Sequence, residues 1–247
     1  SRGLGDVYKR QAVLSSTLLF LAAFTLNYAP EIDFTEATSK LKVVVSDGRE
    51  GKEAIGYVKA YVNMDVATLN VGSQPLANNA HVKYPDAFGM VSLNDLKTYS
   101  VDYAIANEVN AKNVDFKFYC FGASGSPRLY SMDNTGKDGE FSGSTGKLSA
   151  IKVKNLTRFA ILSNFDYENA TVASISSEIL SSSIAQSLLD PIAVGNVIAF
   201  RTGGSSAAGG GRIGVMKVIN ITEPKELVSN NATARVMTVE IKFPKKK

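Results

Sequence analysis

Apolar residues in this chain come in short runs, many alternating with polar positions and most ending at Gly, Pro, Asn or Asp. Alternation with a period of two marks strands with one covered face, and those four residue types punctuate turns. Leu41–Ser46, Ile55–Val62 and Val66–Val71 read as strands, the first two separated by the turn cluster Asp47-Gly48-Arg49-Glu50-Gly51. Phe88–Leu93 reads as another strand. Val114–Phe121 alternates Val, Phe, Phe and Cys with Asp, Lys and Tyr, which predicts a half-buried strand with Asp115 on its solvent side. Residues 122–147 are rich in Gly, Ser, Asp and Asn and read as an excursion, and Arg158–Leu162 is a short apolar segment.

Helical spacing enters in two places. Ser100 is placed to cap a short helix to about Asn110, with Tyr103, Ala104, Ile105 and Val109 as its apolar side. Ile175, Ile179, Leu180 and Ile184 form a helical face within intermittent turns from Asn164 or Asp166 to Leu189, where many serines weaken the propensity. The clearest pattern is C-terminal. Val194–Arg201, Ile213–Ile221 and Ala234–Phe243 are three sequential strands, expected as an antiparallel meander. In the last of them Arg235, Thr238, Glu240 and Lys242 interleave with apolar residues and predict a wet face. The predicted fold class is therefore β-rich α+β, with antiparallel sheets, one or two short helices and a C-terminal three-strand meander.

Three segments are expected along the chain. Residues 1–29 combine two unusual stretches. Ser1 to Gln11 resembles translated sequencing-adapter read-through, and Ala12–Leu26 is uncharged and apolar. The apolar stretch is short of the ~20 residues of a membrane span but fits the core of a signal peptide, flanked by Lys9 and Arg10, with a small-residue cleavage site after Ala29. Contact with a membrane is expected through this segment alone, if it is retained. Residues 30–87 are expected to form a small β module and connector, and residues 88–247 a β-rich α+β domain.

Composition sharpens the picture. The net charge of +4 is concentrated at the ends. Without residues 1–29 and Lys245, Lys246 and Lys247, the body holds 21 basic and 22 acidic residues. A nucleic-acid partner needs a clustered basic face, which this body lacks in sequence, so no nucleic-acid partner is expected. One Cys, Cys120, permits no internal disulfide and reads as a buried thiol. With one His, His81, the chain cannot assemble a closed N/S zinc site.

Several stretches in fixed order carry a resemblance: Ser92-Leu93-Asn94-Asp95-Leu96-Lys97-Thr98-Tyr99-Ser100, Val114-Asp115-Phe116, Asn155-Leu156-Thr157-Arg158-Phe159, Asn164-Phe165-Asp166 and Val194–Thr202. Over roughly residues 88–243 the chain resembles secreted surface proteins, commonly lipoproteins, of Bacteroidota, with an Ig-like module ahead of a C-terminal β-rich domain. The resemblance implies a location at the cell surface or outside the cell and no settled activity. The chain departs from that pattern in lacking a lipidation Cys and in the shortness of its first module.

Asp133–Glu140 alternates oxygen donors with glycines, loosely like a calcium loop, but it contains Lys137 and lacks EF-hand spacing. A hydrolytic triad would need His81, and Gly122-Ala123-Ser124-Gly125-Ser126 brings its second glycine one position too early for a nucleophile elbow. Asp86, Asp95, Asp102, Asp115 and Glu140 are the candidate acids for a carboxylate-pair hydrolase, Asp115 foremost because of its apolar strand. Gly203–Gly211 offers backbone amides to an anion but lacks the lysine and helix of a P-loop, and reads as a flexible hairpin loop. Tyr57, Tyr61, Tyr99, Tyr103, Tyr119 and Tyr130 are candidate sugar platforms or core-edge residues. Asn155, Asn169, Asn220 and Asn231 begin Asn-x-Ser/Thr triplets.

The sequence reading is of an exported surface or secreted module that binds or scaffolds without catalysis, holding no catalytic, cofactor or metal residues. The expected partner is a cell-surface glycan or a protein. The alternatives are a subunit of an extracellular fibre or surface assembly and a carboxylate-dependent glycoside hydrolase.

Overall fold

The computed structural model of the chain describes residues 63–227 and 231–246, together with the backbone of 38–46 and 53–61. The predicted leader, residues 1–29, lies outside the described residues. The chain divides between Val62 and Asn63. The described part of the first unit is a hairpin of β1 (Thr38–Ser46) and β2 (Glu53–Tyr61), antiparallel from Thr38↔Tyr61 to Ser46↔Glu53.

The second unit holds two five-stranded sheets. One has the order β3-β12-β11-β10-β8, built from β3 (Met64–Gly72), β8 (Arg158–Leu162), β10 (Val197–Arg201), β11 (Ile213–Ile221) and β12 (Val236–Pro244). The other has the order β5-β4-β6-β7-β9, built from β4 (Met90–Ser92), β5 (Lys97–Tyr99), β6 (Phe116–Phe121), β7 (Ser126–Ser131) and β9 (Leu188–Leu189). Every pairing is antiparallel, so the β-rich antiparallel class and the C-terminal meander stand as expected. One boundary moves. The strand expected over Val66–Val71 within a 30–87 module belongs to the larger unit, because β3 runs antiparallel to β12 from Met64↔Pro244 to Gly72↔Val236.

Alternation decides which side chains meet. Leu69 and Val71 of β3, Phe159 of β8, Ile198 and Phe200 of β10 and Met237, Val239 and Ile241 of β12 share one buried cluster with Val91, Phe116, Phe118, Cys120 and Leu129 of the second sheet. The sheets therefore pack face to face as a sandwich. Fully burying one such side chain contributes roughly 1.5–3 kcal/mol. Phe116 and Phe159 meet edge to face across this core, 5.7 Å between centroids. Gly214 of β11 lies opposite Phe200, and a Cβ there would press on the Phe200 ring and come within 2.8 Å of the Phe243 ring, so only glycine leaves room for that pair.

The back of the second sheet is covered as well. Met90, Tyr119, Tyr130 and Met132 pack with Val101 and Ala104 of α1 (Val101–Ala106), Ala111 of α2 (Glu108–Lys112), Phe141 and Leu148. Ser100 caps α1 by accepting the Tyr103 N–H, as expected, but the helix stops at Ala106 and Asn107 caps a second one. Val109 is 76% exposed and not part of the apolar side. The turns expected from Asn164 to Leu189 reduce to α3 (Val172–Glu178), capped by Thr171, and one 3-10 turn at Ser181–Ser183. The expected excursion at 122–147 contains β7, which the run of polar residues hid.

Cover on both faces corrects the half-buried reading of 114–121: β6 is buried from Phe116 to Cys120. Asp115, expected to face solvent, is fully buried, as is Lys117. Lys117 Nζ lies 2.8 Å from Asp138 Oδ1 and donates to the carbonyls of Asn134 (3.0 Å) and Ser131 (3.3 Å). Burial pulls the ammonium below its ordinary value, and Asp138 opposes that pull. Lys242 of β12, expected on a wet face, is also buried and sits over the Tyr167 ring at 4.3 Å, with Nζ donating to the Tyr167 carbonyl at 2.6 Å. Lys117→Met should lower stability by up to about 3–5 kcal/mol by leaving the buried Asp138 carboxylate with the partly exposed Lys154 alone, and Lys117→Met with Asp138→Leu should recover most of the loss; urea denaturation of the three proteins measures both.

Candidate functional site

The candidate acids separate by environment. Asp102 stands at the start of α1 and accepts from Ser144 N (2.9 Å), Thr145 N (2.9 Å), Thr145 Oγ1 (2.8 Å) and Asn78 Nδ2 (3.0 Å). Those bonds, from Thr145 and Ser144 foremost, hold its carboxyl far below the ordinary range. It fastens the 143–145 loop and the connector to the helix. Glu140 accepts from the Tyr119 hydroxyl and pairs with Lys137. Asp133 takes a two-pronged bond from Arg158 (2.9 and 2.8 Å), and Asp138 faces Lys117 and Lys154. The carboxylates of 133–140 are thus engaged by the protein's own cations. Among the described residues no group of three or more His, Cys, Asp or Glu is arranged to hold a metal ion.

Asp95 and Asp115 belong to one network. Asp115 Oδ2 accepts the Leu93 N–H at 2.8 Å, while its Oδ1 is buried without a hydrogen-bond partner. Burial pushes its carboxyl up to about 6; the nearby Ser206 side chain and the Leu93 N–H oppose the rise and the charge of Asp95 adds to it. Asp95 accepts from Asn113 Nδ2 and from the Tyr99 hydroxyl (2.6 Å), and Asn113 also donates to the Tyr103 hydroxyl (3.1 Å). Burial raises the Asp95 carboxyl, but the bonds from Asn113, Tyr99 and Asn94 outweigh it and leave it below the ordinary value. Tyr99 and Tyr103 stack at 4.0 Å with both hydroxyls committed. These groups fasten α1 to the β4–β5 turn.

The remaining candidates are placed as follows. Cys120 is buried, and burial pushes its thiol up to about 12. Gln74 donates to its carbonyl (2.7 Å) and accepts from its N–H (2.9 Å), continuing the ladder beyond the start of β4. His81 Nδ1 accepts the Lys83 N–H at 3.2 Å, and Ser124 lies in the β6–β7 turn between Gly122 and Gly125, both at positive φ. Tyr119 and Tyr130 are buried; the side chains of Tyr57 and Tyr61 lie outside the described residues. Asn155 is fully buried, donating to the carbonyls of Lys112 and Val114 at 2.8 Å each, so its triplet offers no acceptor site for a sugar. Asn169, Asn220 and Asn231 lie nearer the surface.

The glycine loop is not the free tether expected of it. Ala207 N donates to the Lys112 carbonyl (2.9 Å), Ser205 Oγ to Asn155 Oδ1 (2.6 Å), and Gly211 N to the Thr202 carbonyl (3.0 Å). Gly203 lies so close to the Leu156 backbone that a Cβ has no space.

A cleft of about 380 Å³ opens between the edge strands β3 and β5. Leu69 and Leu96 form its apolar floor, and Phe88 contributes a partly exposed ring. Asn70, Asp86 and Lys97 stand around it. Asn70 Oδ1 accepts from Thr238 Oγ1 at 2.9 Å, which fixes the side chain on the cleft wall. The Thr98 hydroxyl donates to the Asp86 carbonyl and accepts the Phe88 N–H (3.3 Å), fixing the segment that carries the ring. Leu96 holds a left-handed φ of 50°, a conformation leucine seldom adopts. Of the candidate acids, Asp86 is the one brought to this cleft. The ring of Phe88 was missed in sequence because it sits at the start of an apolar run and looks like strand core.

No family model matches the chain, and no curated protein matches it. Among solved structures the chain is similar to a DUF4466 family protein from Parabacteroides merdae, with 13% sequence identity and a TM-score of 0.47. The match covers 78% of this chain and 58% of that one, so the chain spans a little over half the length of the protein it matches.

Two outcomes follow from the buried groups. Asp115 binds its proton more tightly folded (about 6) than at the ordinary value of 3.8, so its burden on stability is absent below the lower value and grows as pH rises to the upper one. At about 1.4 kcal/mol per pH unit this reaches about 3 kcal/mol. Asp115→Asn should therefore match the parent near pH 4 and exceed it in urea midpoint at pH 7. The Cys120 thiol should resist alkylation in the native protein and react at the rate of unfolding, as mass spectrometry with and without urea would show.

Proposed function

We propose that this chain is a non-catalytic binding module of the cell surface or extracellular space, and that its ligand is a glycan seated in the β3–β5 cleft. The observation that carries the reading is the composition of that cleft. A ring and two leucines suit the C–H face of a sugar, and an amide, a carboxylate and an ammonium around them suit its hydroxyls. A volume of about 380 Å³ is of the size that takes a small ligand. The uncharged stretch Ala12–Leu26 and the resemblance to secreted Bacteroidota proteins support the location.

An array of neutral oligosaccharides, followed by calorimetry on the strongest, tests the reading. Phe88→Ala and Asn70→Ala should each weaken binding by about tenfold, roughly 1.4 kcal/mol. Reducing ends should not accumulate over days of incubation. Failure of every neutral oligosaccharide to bind overturns the ligand assignment, and steady release of reducing ends overturns the non-catalytic one.

A further inference from the structure

A second recess, of about 570 Å³, lies between α3, the glycine loop and the residues that follow β12. It shares no lining residue with the Phe88 cleft. Its charge is one-sided. Arg212, Lys245 and Lys246 line it, and no carboxylate does. The acid nearest by contact is Asp65 of β3, 3.8 Å from Lys245 Nζ with both side chains about half exposed, a pair at the limit of ion-pair distance that neutralises little.

The cations differ in how firmly they are held. Arg212 is fixed: Nη1 donates to the Ala208 carbonyl at 2.6 Å, Nη2 donates to the Pro244 carbonyl, and the guanidinium lies 3.9 Å from the centre of the Phe243 ring. Its hydrogen-bond acceptors are neutral, and the one carboxylate whose charge acts on it, Asp65, makes no hydrogen bond to it. Lys245 and Lys246 are exposed, each ammonium on a four-carbon stem. Between Gly209 (φ 93°) and Gly211 (φ 76°), the amide of exposed Gly210 makes no hydrogen bond among the described residues. The loop presenting it is pinned at Gly209, whose N–H donates to Ser206 at 3.0 Å, and at Ala207 and Gly211, so ordering it costs a ligand little. The opposite wall is apolar, from Val172, Ile213 and Pro244.

We propose that this recess binds an acidic sugar unit, its carboxylate or sulfate seated among Arg212, Lys245, Lys246 and the Gly210 amide and its ring laid against Val172, Ile213 and Pro244. A bare inorganic anion would use the first set of groups and leave the apolar wall bare. The site extends the glycan reading to charged polymers but stands on different residues, so either assignment can fail alone.

Calorimetry on the whole chain with four probes tests it: a sulfated glucan oligosaccharide, an oligouronate, a neutral glucan oligosaccharide of the same length, and inorganic sulfate. At least one acidic oligosaccharide should bind, more weakly as salt is raised. Lys245→Ala with Lys246→Ala, both exposed and outside the core, should weaken that binding by about tenfold. Phe88→Ala should leave it unchanged. Lys147→Ala with Lys152→Ala, an equal loss of exposed charge elsewhere, should also leave it unchanged. The proposal is overturned if neither acidic oligosaccharide binds, if the two double variants weaken binding equally, or if Phe88→Ala abolishes it. Equal affinity for inorganic sulfate and the sulfated oligosaccharide overturns the saccharide part.

Discussion

The second unit depends on β6 being covered on both faces. Phe116, Phe118 and Cys120 fill the space between the sheets, and the intervening positions must then face a second interior made by α1, α2 and the 133–151 segment. Lys117 falls on that second side. A lone ammonium there would be prohibitive, so the fold must bring a carboxylate and carbonyls to it: Ser131 ends β7, and Asn134 and Asp138 arrive from the chain that follows. The one ion pair thereby decides the path of a long loop. It also commits the acids that might otherwise have gathered as a cation site, since Asp133 and Glu140 are claimed in turn by Arg158 and Lys137.

The pairing of β3 with β12 is the second constraint, and it places both recesses. Register from Met64↔Pro244 to Gly72↔Val236 sets Asn70, a lining residue of the Phe88 cleft, beside Thr238, which holds its side chain. The same register carries the chain past Pro244, where Lys245 N donates to the Asn63 carbonyl at 2.8 Å and the terminal lysines come alongside the glycine loop. Residues far apart in sequence reach these recesses through one ladder.

That explains how much could be read in advance. Strand and helix types followed from alternation and from caps such as Ser100, and the meander followed from three apolar runs in series. What the alternation could not show was the number of covered faces. Lys117 and Lys242 read as wet because a charged residue in a strand usually is, and only the layer packed on each reveals otherwise. The boundary of the first module was placed late because β3 resembles the hairpin before it, while its partner lies at the other end of the chain. The glycine loop was legible as a hairpin connection and as a source of amides, but its pinning by Lys112 and Asn155 is long-range and leaves no local mark. The Phe88 cleft is made of edge residues from three segments and has no motif.

The turn between β4 and β5 concentrates the costs of the fold. Asp115 gives up solvation to accept the N–H of Leu93, the first residue of that turn, and one of its oxygens is left unpaired. Leu96, the last, holds a left-handed backbone that costs of order 1–3 kcal/mol. A turn selected for stability alone would place glycine or asparagine at Leu96 and an uncharged acceptor at Asp115. The leucine is retained where its side chain reaches both the main core and the floor of the cleft, and the next residue, Lys97, stands on the rim. The strained backbone of Leu96 and the buried Asp115 thus meet at the turn whose last residues line the cleft.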